Sequence, residues 1–133
     1  MTTVTPLALP RTVERLLAEE HLGILTTCRA DGSPHVAPVR FTWDGRAGLA
    51  RVMTVRDRQK VRNIRAHPDR WVALCQLMGY RWITLEGRAT VSDEPRRLAE
   101  GIRRYARRYG APPPDQPGLV VIEIAVDRQM GQY

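Results

Sequence analysis

The chain has 133 residues, 43% of them hydrophobic and 26% charged, which fits one globular domain over 1–133 and does not call for a second. Its longest apolar runs, Leu119 to Ile122 and Ile124 to Val126, are far shorter than the roughly 20 residues of a membrane-spanning helix. Met1 to Pro10 lacks the basic and apolar regions of a secretion signal, so a cytoplasmic location is expected. The net charge is +7, Lys60 is the only lysine among 21 basic residues, and such a surface favours anionic partners: a phosphorylated cofactor, a carboxylate-rich substrate or nucleic acid.

Arg11 to His21 carries Val13, Leu16 and Leu17 at helical spacing and predicts a short amphipathic helix lidding one end of a sheet. Gly23 to Arg29 is β-branched and apolar, Asp31-Gly32 signals a tight turn, and Pro34 to Trp43 resumes as a second strand, making a hairpin. Asp44-Gly45 repeats the turn signal, and in Gly48 to Val55 the residues Leu49, Arg51, Met53 and Val55 share one face of a third strand. Arg58 to Ala66 then switches to helical spacing, and His67-Pro68 stops it. Trp71 to Leu77 and Arg81 to Val91 are two further strands joined across Met78-Gly79-Tyr80, with Gly87 marking a bulge or a close backbone approach. Asp93 to Gly110 is the longest helix, capped by Ser92 or Asp93, apolar at Leu98, Ile102, Tyr105 and Ala106, and ended by Gly110. After the proline-rich loop from Ala111 to Gly118, Leu119 to Asp127 is a sixth strand.

Six short strands, mostly joined as hairpins, and three helices predict a mainly antiparallel sheet closed into a small barrel with flanking helices. An open sheet with helices on one face is the alternative topology. Cys28 and Cys75 match no metal-ligand spacing and are read as buried free thiols, while Trp71 and Trp82 are read as core or interface packing.

No triad, nucleophile elbow, glycine-rich phosphate loop or metal motif is present, so neither a catalytic side chain nor a bound metal is expected. Instead, a strand ends at Met53-Thr54-Val55 and a helix opens around Arg58-Gln59-Lys60, followed by Arg62 and Asn63. Amides at the start of that helix, the Thr54 hydroxyl and the Lys60 ammonium suit a phosphate; a basic helix face turned to water is the competing reading. In the second strand Pro38 removes a ladder donor, which suggests an edge whose free backbone groups can bind the polar rim of a planar ring; an ordinary protected sheet edge is the competing reading. His35 is either part of such a site or a solvated turn residue. Arg103, Arg104, Arg107 and Arg108 on the long helix either bind carboxylates or face water.

Taken together, His21 to Thr27, Asp31 to Val39, Arg51 to Thr54, Gln59-Lys60, Asn63, Ala73 to Gln76, Arg81-Trp82, Leu85 to Ala89, Arg104 to Tyr109 and Val120 to Glu123 resemble the pyridoxamine-phosphate-oxidase-like split barrels. Within them the chain looks most like the actinobacterial deazaflavin-dependent branch and its F420-dependent biliverdin reductases. The resemblance implies a six-stranded split β-barrel of the FMN-binding type that works as a homodimer. It also implies coenzyme F420 as cofactor, with FMN as the alternative, and hydride transfer to a conjugated acceptor such as biliverdin. The ring would lie beside His35, Val36, Ala37 and Pro38. Met53, Thr54, Val55, Arg56, Asp57, Gln59, Lys60 and Asn63 would surround the phosphate region, and Met78, Gly79, Tyr80, Arg81 and Arg107 would add contacts, some across the dimer. Arg56-Asp57 departs from the small, glycine-rich residues often found there. The other readings are a non-catalytic cofactor carrier and a basic nucleic-acid-binding barrel, the latter disfavoured by the single Phe and the apolar setting of the aromatics.

Overall fold

The computed structural model describes residues 7–133; the first six positions of the segment read above as lacking a secretion signal lie outside them. The elements are α1 (Arg11–Ala18), β1 (Gly23–Cys28), β2 (Pro34–Val39), β3 (Thr42–Asp44), β4 (Leu49–Val55), α2 (Gln59–Ala66), β5 (Trp71–Met78), β6 (Arg81–Ser92), α3 (Pro95–Tyr109) and β7 (Leu119–Gln132). All strand pairs are antiparallel, in the order β2-β1-β5-β6-β7-β4-β3.

This order explains why the expected second strand divides. Its first part pairs with β1 and its last part with β4, so the edge strands β2 and β3 stand at opposite ends of the sheet order. Only Arg40 and Phe41 join them. A two-residue link closes the sheet into a barrel, making seven ladder strands from six sequence segments. The closure is incomplete: β3 covers β4 only along Leu49–Arg51, and β2 pairs only with β1. The free edges of Val52–Val55 and of β2 flank the split.

Alternation decides which side chains fill the barrel. Leu25, Val39, Ala50, Val52, Val72, Leu74, Ile83, Leu85, Ile122 and Ile124 form the core with Phe41, and Val13, Leu16 and Leu17 of α1 plug one end. Val61 and Ile64 of α2 join the same cluster. Cys28 and Cys75 fall on the outward parity of their strands and are therefore half-buried free thiols rather than buried ones. Trp71 and Trp82 are also half-buried outside the core, with the Arg128 guanidinium 4.4 Å from the Trp71 ring centroid.

The helix ends and one strand end differ from expectation. At α1, Glu19 already has extended backbone, so the helix stops at Ala18 rather than His21. In α3, Pro95 occupies the first helical turn and holds Glu94 extended as the cap, which moves the start past Asp93. The buried stripe of α3 is Gly101, Tyr105 and Tyr109, with Leu98, Ile102 and Ala106 half-buried beside it. Strand β7 continues past Asp127 because Arg128–Gln132 pair with Trp82–Glu86 beyond a bulge at Glu86/Gly87. A Cβ on Gly87 would stand 1.9 Å from the Ala125 carbonyl oxygen, so the close backbone approach admits only glycine.

Polar contacts fix α3 to the sheet. Buried Arg51 of β4 is held by Asp44 at 2.8 Å and Glu123 at 3.2 Å, and Arg104 also reaches Asp44 at 3.2 Å. At the other end Arg108 donates to the Glu19 carbonyl and to Gln76 Oε1. The Tyr109 hydroxyl accepts the Phe41 amide at 3.0 Å and donates to the His21 carbonyl at 2.7 Å. Arg104 and Arg108 thus face the body of the protein, and Arg103 and Arg107 face water.

Candidate active site

The split between β2 and β4 opens into a slot of about 580 Å3. One wall is β2, contributing His35, Ala37, Pro38 and Val39; the facing wall is the free end of β4, from Val52 to Val55. Arg58, Gln59 and Lys60 close one end, and Arg40, Tyr105 of α3 and Gln116 of the proline-rich loop complete the lining.

The end at Arg58 and Lys60 is built from local sequence. Strand β4 ends at Val55, a turn follows, and α2 begins after the extended cap residue Arg58, with no side chain bonded to the open amides of its first turn. A helix start of this kind presents partial positive charge. Thr54 and Lys60 line the same region. Burial, and then the charge of Arg58, hold the Lys60 ammonium below the usual lysine pKa. Behind it runs a relay of hydrogen bonds: Arg62 donates to Gln59 Oε1 at 2.8 Å, Gln59 Nε2 to Asn63 Oδ1 at 2.7 Å, and Asn63 Nδ2 to Thr27 Oγ1 at 2.9 Å. Asn63 is buried and therefore fastens α2 to β1 instead of lining the slot. Arg62 is engaged with Gln59 and the Asp57 carbonyl.

On β2, alternation sends His35 and Ala37 toward the slot, while Val36 points outward and is 57% exposed. His35 Nδ1 is buried without a hydrogen-bond partner among the described residues. Burial, followed by the charges of Arg29 and Lys60, lowers its pKa and favours the neutral ring. An orphaned ring nitrogen facing a cavity is a polar atom that a ligand can satisfy.

The structure therefore brings His35, Ala37, Pro38, Met53, Thr54, Val55, Gln59 and Lys60 to one slot. Other expected residues lie elsewhere in the single chain. Arg56 packs against Gly118 and donates its amide to that carbonyl, and Asp57 is exposed in the preceding turn. Met78, Gly79, Tyr80 and Arg81 form the β5–β6 turn outside the slot. Arg107 borders a separate groove with Trp43 and Leu17. Val39, Arg40, Val52, Tyr105 and Gln116 were not expected in the site. The arginine following Pro38 at the end of an edge strand was the one local signal; Tyr105 and Gln116 arrive through tertiary packing.

Comparison with known proteins shows the family and the fold. The family described as pyridoxamine 5'-phosphate oxidase matches residues 9–131. The F420H(2)-dependent biliverdin reductase of Mycobacterium tuberculosis (strain CDC 1551 / Oshkosh) is 44% identical over 115 residues, covering 86% of this chain and 82% of that protein. Among solved structures, an F420 reductase is similar with a TM-score of 0.74 and 28% identity, over 92% of this chain and 98% of that one. A conserved hypothetical protein from Mycobacterium tuberculosis has a TM-score of 0.78 over 98% of this chain and 88% of its own, at 21% identity, and speaks for the fold alone.

Proposed function

The chain belongs to the pyridoxamine 5'-phosphate oxidase family, and on that premise we propose that it is an F420H2-dependent reductase that delivers a hydride to biliverdin. The observation that carries the reading is the charge of the slot: Arg40, Arg58 and Lys60 line it and, among the described residues, no Asp or Glu does. Three cations without a counter-charge suit an elongated, anionic ligand. The kinship with an F420H(2)-dependent biliverdin reductase favours the deazaflavin over FMN.

Reduced F420, when bound, supplies the hydride, so the chain requires no nucleophile of its own. Lys60, Arg58, the Thr54 hydroxyl and the open first turn of α2 would hold the cofactor phosphate. His35, Ala37 and Pro38 would lie beside the ring, and the unpartnered His35 Nδ1 fits a ring heteroatom. No carboxylic acid among the described residues lines the slot and His35 is held toward its neutral form, so the proton accompanying the hydride would be drawn from solvent. The fixed walls orient donor and acceptor, which is the protein's contribution to rate.

The same reading makes the working unit a homodimer. Val36, Leu77 and Met130 share the outward face of β2, β5 and β7 and are 46–60% exposed, an apolar surface suited to a second copy. In such a dimer, Met78 to Arg81 and Arg107 would serve the partner's slot. No helix among the described residues is long and apolar enough to cross a membrane.

The test is quenching of tryptophan fluorescence by F420 and, separately, FMN, followed by mixing the reduced F420 complex with biliverdin. F420 binding with biliverdin-dependent reoxidation is expected. Binding of FMN alone would overturn the cofactor assignment, and F420 binding without reoxidation would overturn the acceptor.

A further inference from the structure

Arg40 stands apart from the other two cations of the slot. It follows β2, five residues of nearly extended chain from His35, which corresponds to roughly 16 Å. His35 feels the charge of Lys60, so the slot has a cationic end at Lys60 and Arg58 and a second one near Arg40. The Arg40 guanidinium has no carboxylate partner among the described residues. It donates to the Tyr105 hydroxyl at 3.0 Å and lies 5.7 Å and 5.1 Å from the ring centroids of Tyr105 and Tyr109. Those rings are themselves fixed: Tyr109 is locked to Phe41 and His21, and the two rings are 5.2 Å apart. The aromatic contacts hold the guanidinium in place without neutralising it, which leaves donors for an anion.

We propose that Arg40, held by Tyr105 and Tyr109, is a substrate-binding residue that grips a carboxylate of the acceptor at the end of the slot opposite the cofactor phosphate. The inference rests on the cofactor reading above, which assigns the phosphate to Lys60 and Arg58. In F420 the phosphate and its glutamate tail lie on the same side of the ring, so the far cationic end is left to the other reactant. Biliverdin carries two propionates and meets that requirement. A guanidinium matches a carboxylate in a paired geometry that a water-facing lysine does not.

The test measures binding of biliverdin and of its dimethyl ester to the unliganded chain by tryptophan quenching, with F420 binding measured in parallel. The parent is expected to prefer the free acid over the ester by about tenfold or more, the worth of a charge-assisted hydrogen bond. Arg40→Ala should abolish that preference while leaving F420 affinity within about twofold, a change too small for a lost charge contact. Arg40→Gln keeps a donor for the Tyr105 hydroxyl and should lose the preference in the same way; it serves if the alanine variant does not fold. Arg40→Lys should recover part of it. A preference that persists in both the Ala and Gln variants, or is absent in the parent, overturns the proposal. So does a loss of F420 affinity in those variants equal to the loss for biliverdin, which would put the cofactor's own carboxylates on Arg40. If the parent binds no F420 yet discriminates acid from ester through Arg40, the cofactor reading fails and the carboxylate site stands.

Discussion

Replacing Lys60 by methionine separates binding from folding in opposite directions. The side chain is half-buried, lies near Arg58 and has no salt-bridge partner among the described residues. Burial and the charge of Arg58 lower its pKa, so the ammonium form is disfavoured in the folded protein. The sign of the linkage follows: at neutral pH the charge costs folding energy, and the cost is relieved only as pH rises into the range where the folded lysine loses its proton. A methionine of similar length removes that cost and keeps the packing of the stem, so the unliganded variant should melt at the parent temperature or above it. Loss of one charge-assisted hydrogen bond to phosphate is worth about 1.5–3 kcal/mol, which weakens F420 binding roughly 10- to 150-fold. Fluorescence titration and thermal melting of the same two samples provide the assay. An unchanged F420 affinity would remove Lys60 from the phosphate site. A clear drop in melting temperature would show that the lysine supports the fold and would refute the argument from burial.

Three further perturbations test the supporting structure. His35 is held below the ordinary histidine pKa, so between that lowered value and 6.5 the unfolded chain takes up a proton that the folded chain refuses, and stability falls as pH drops through this window; His35→Gln should flatten that part of the profile in denaturant melts at pH 7.5 and 5.5, and an identical slope would contradict the assignment. Glu123→Ala leaves buried Arg51 with Asp44 alone and Arg97 with Glu94 alone, and should cost about 1.5–3 kcal/mol in urea unfolding, the worth of a charge-assisted hydrogen bond lost from a guanidinium that keeps one partner; an unchanged unfolding midpoint would show that Asp44 by itself suffices. Gly87→Ala drives a Cβ against the Ala125 carbonyl and should cost about 1–3 kcal/mol or more; a melting temperature equal to the parent's would mean the bulge tolerates a side chain.

Much of this protein could be read from local patterns because those patterns express nearest-neighbour physics. The Asp31-Gly32 turn, the period-two strands and the αL glycine after α3 are each set by backbone sterics within a few residues, while Gly87 was marked by being a glycine inside a strand although the carbonyl it must clear, that of Ala125, lies far along the chain. Met53 to Val55 with Arg58 to Lys60 was legible for the same reason as the turns, since a strand end and a helix start adjacent in sequence are adjacent in space, while the turn residues Arg56 and Asp57 between them fall outside the slot. Resemblance to a family added F420 and biliverdin, which no local pattern contains. What required the tertiary structure was every choice that depends on closure. Whether Pro34 to Trp43 is one strand or two is decided by which sheet edges it must reach, and Arg40-Phe41 is the link that joins them. Whether an arginine of α3 faces water or a buried carboxylate depends on the rotation of the helix over β3 and β4, which sends Arg104 to Asp44 and leaves Arg107 outside. The slot itself exists because β3 is too short to cover all of β4, and its lining beside Arg40 is completed by Tyr105, 65 residues along the chain on α3. Sequence by itself specified the segments and set Lys60 and Arg58 at a helix start beside a strand end, whereas the second cationic end arises only when barrel closure brings distant groups together.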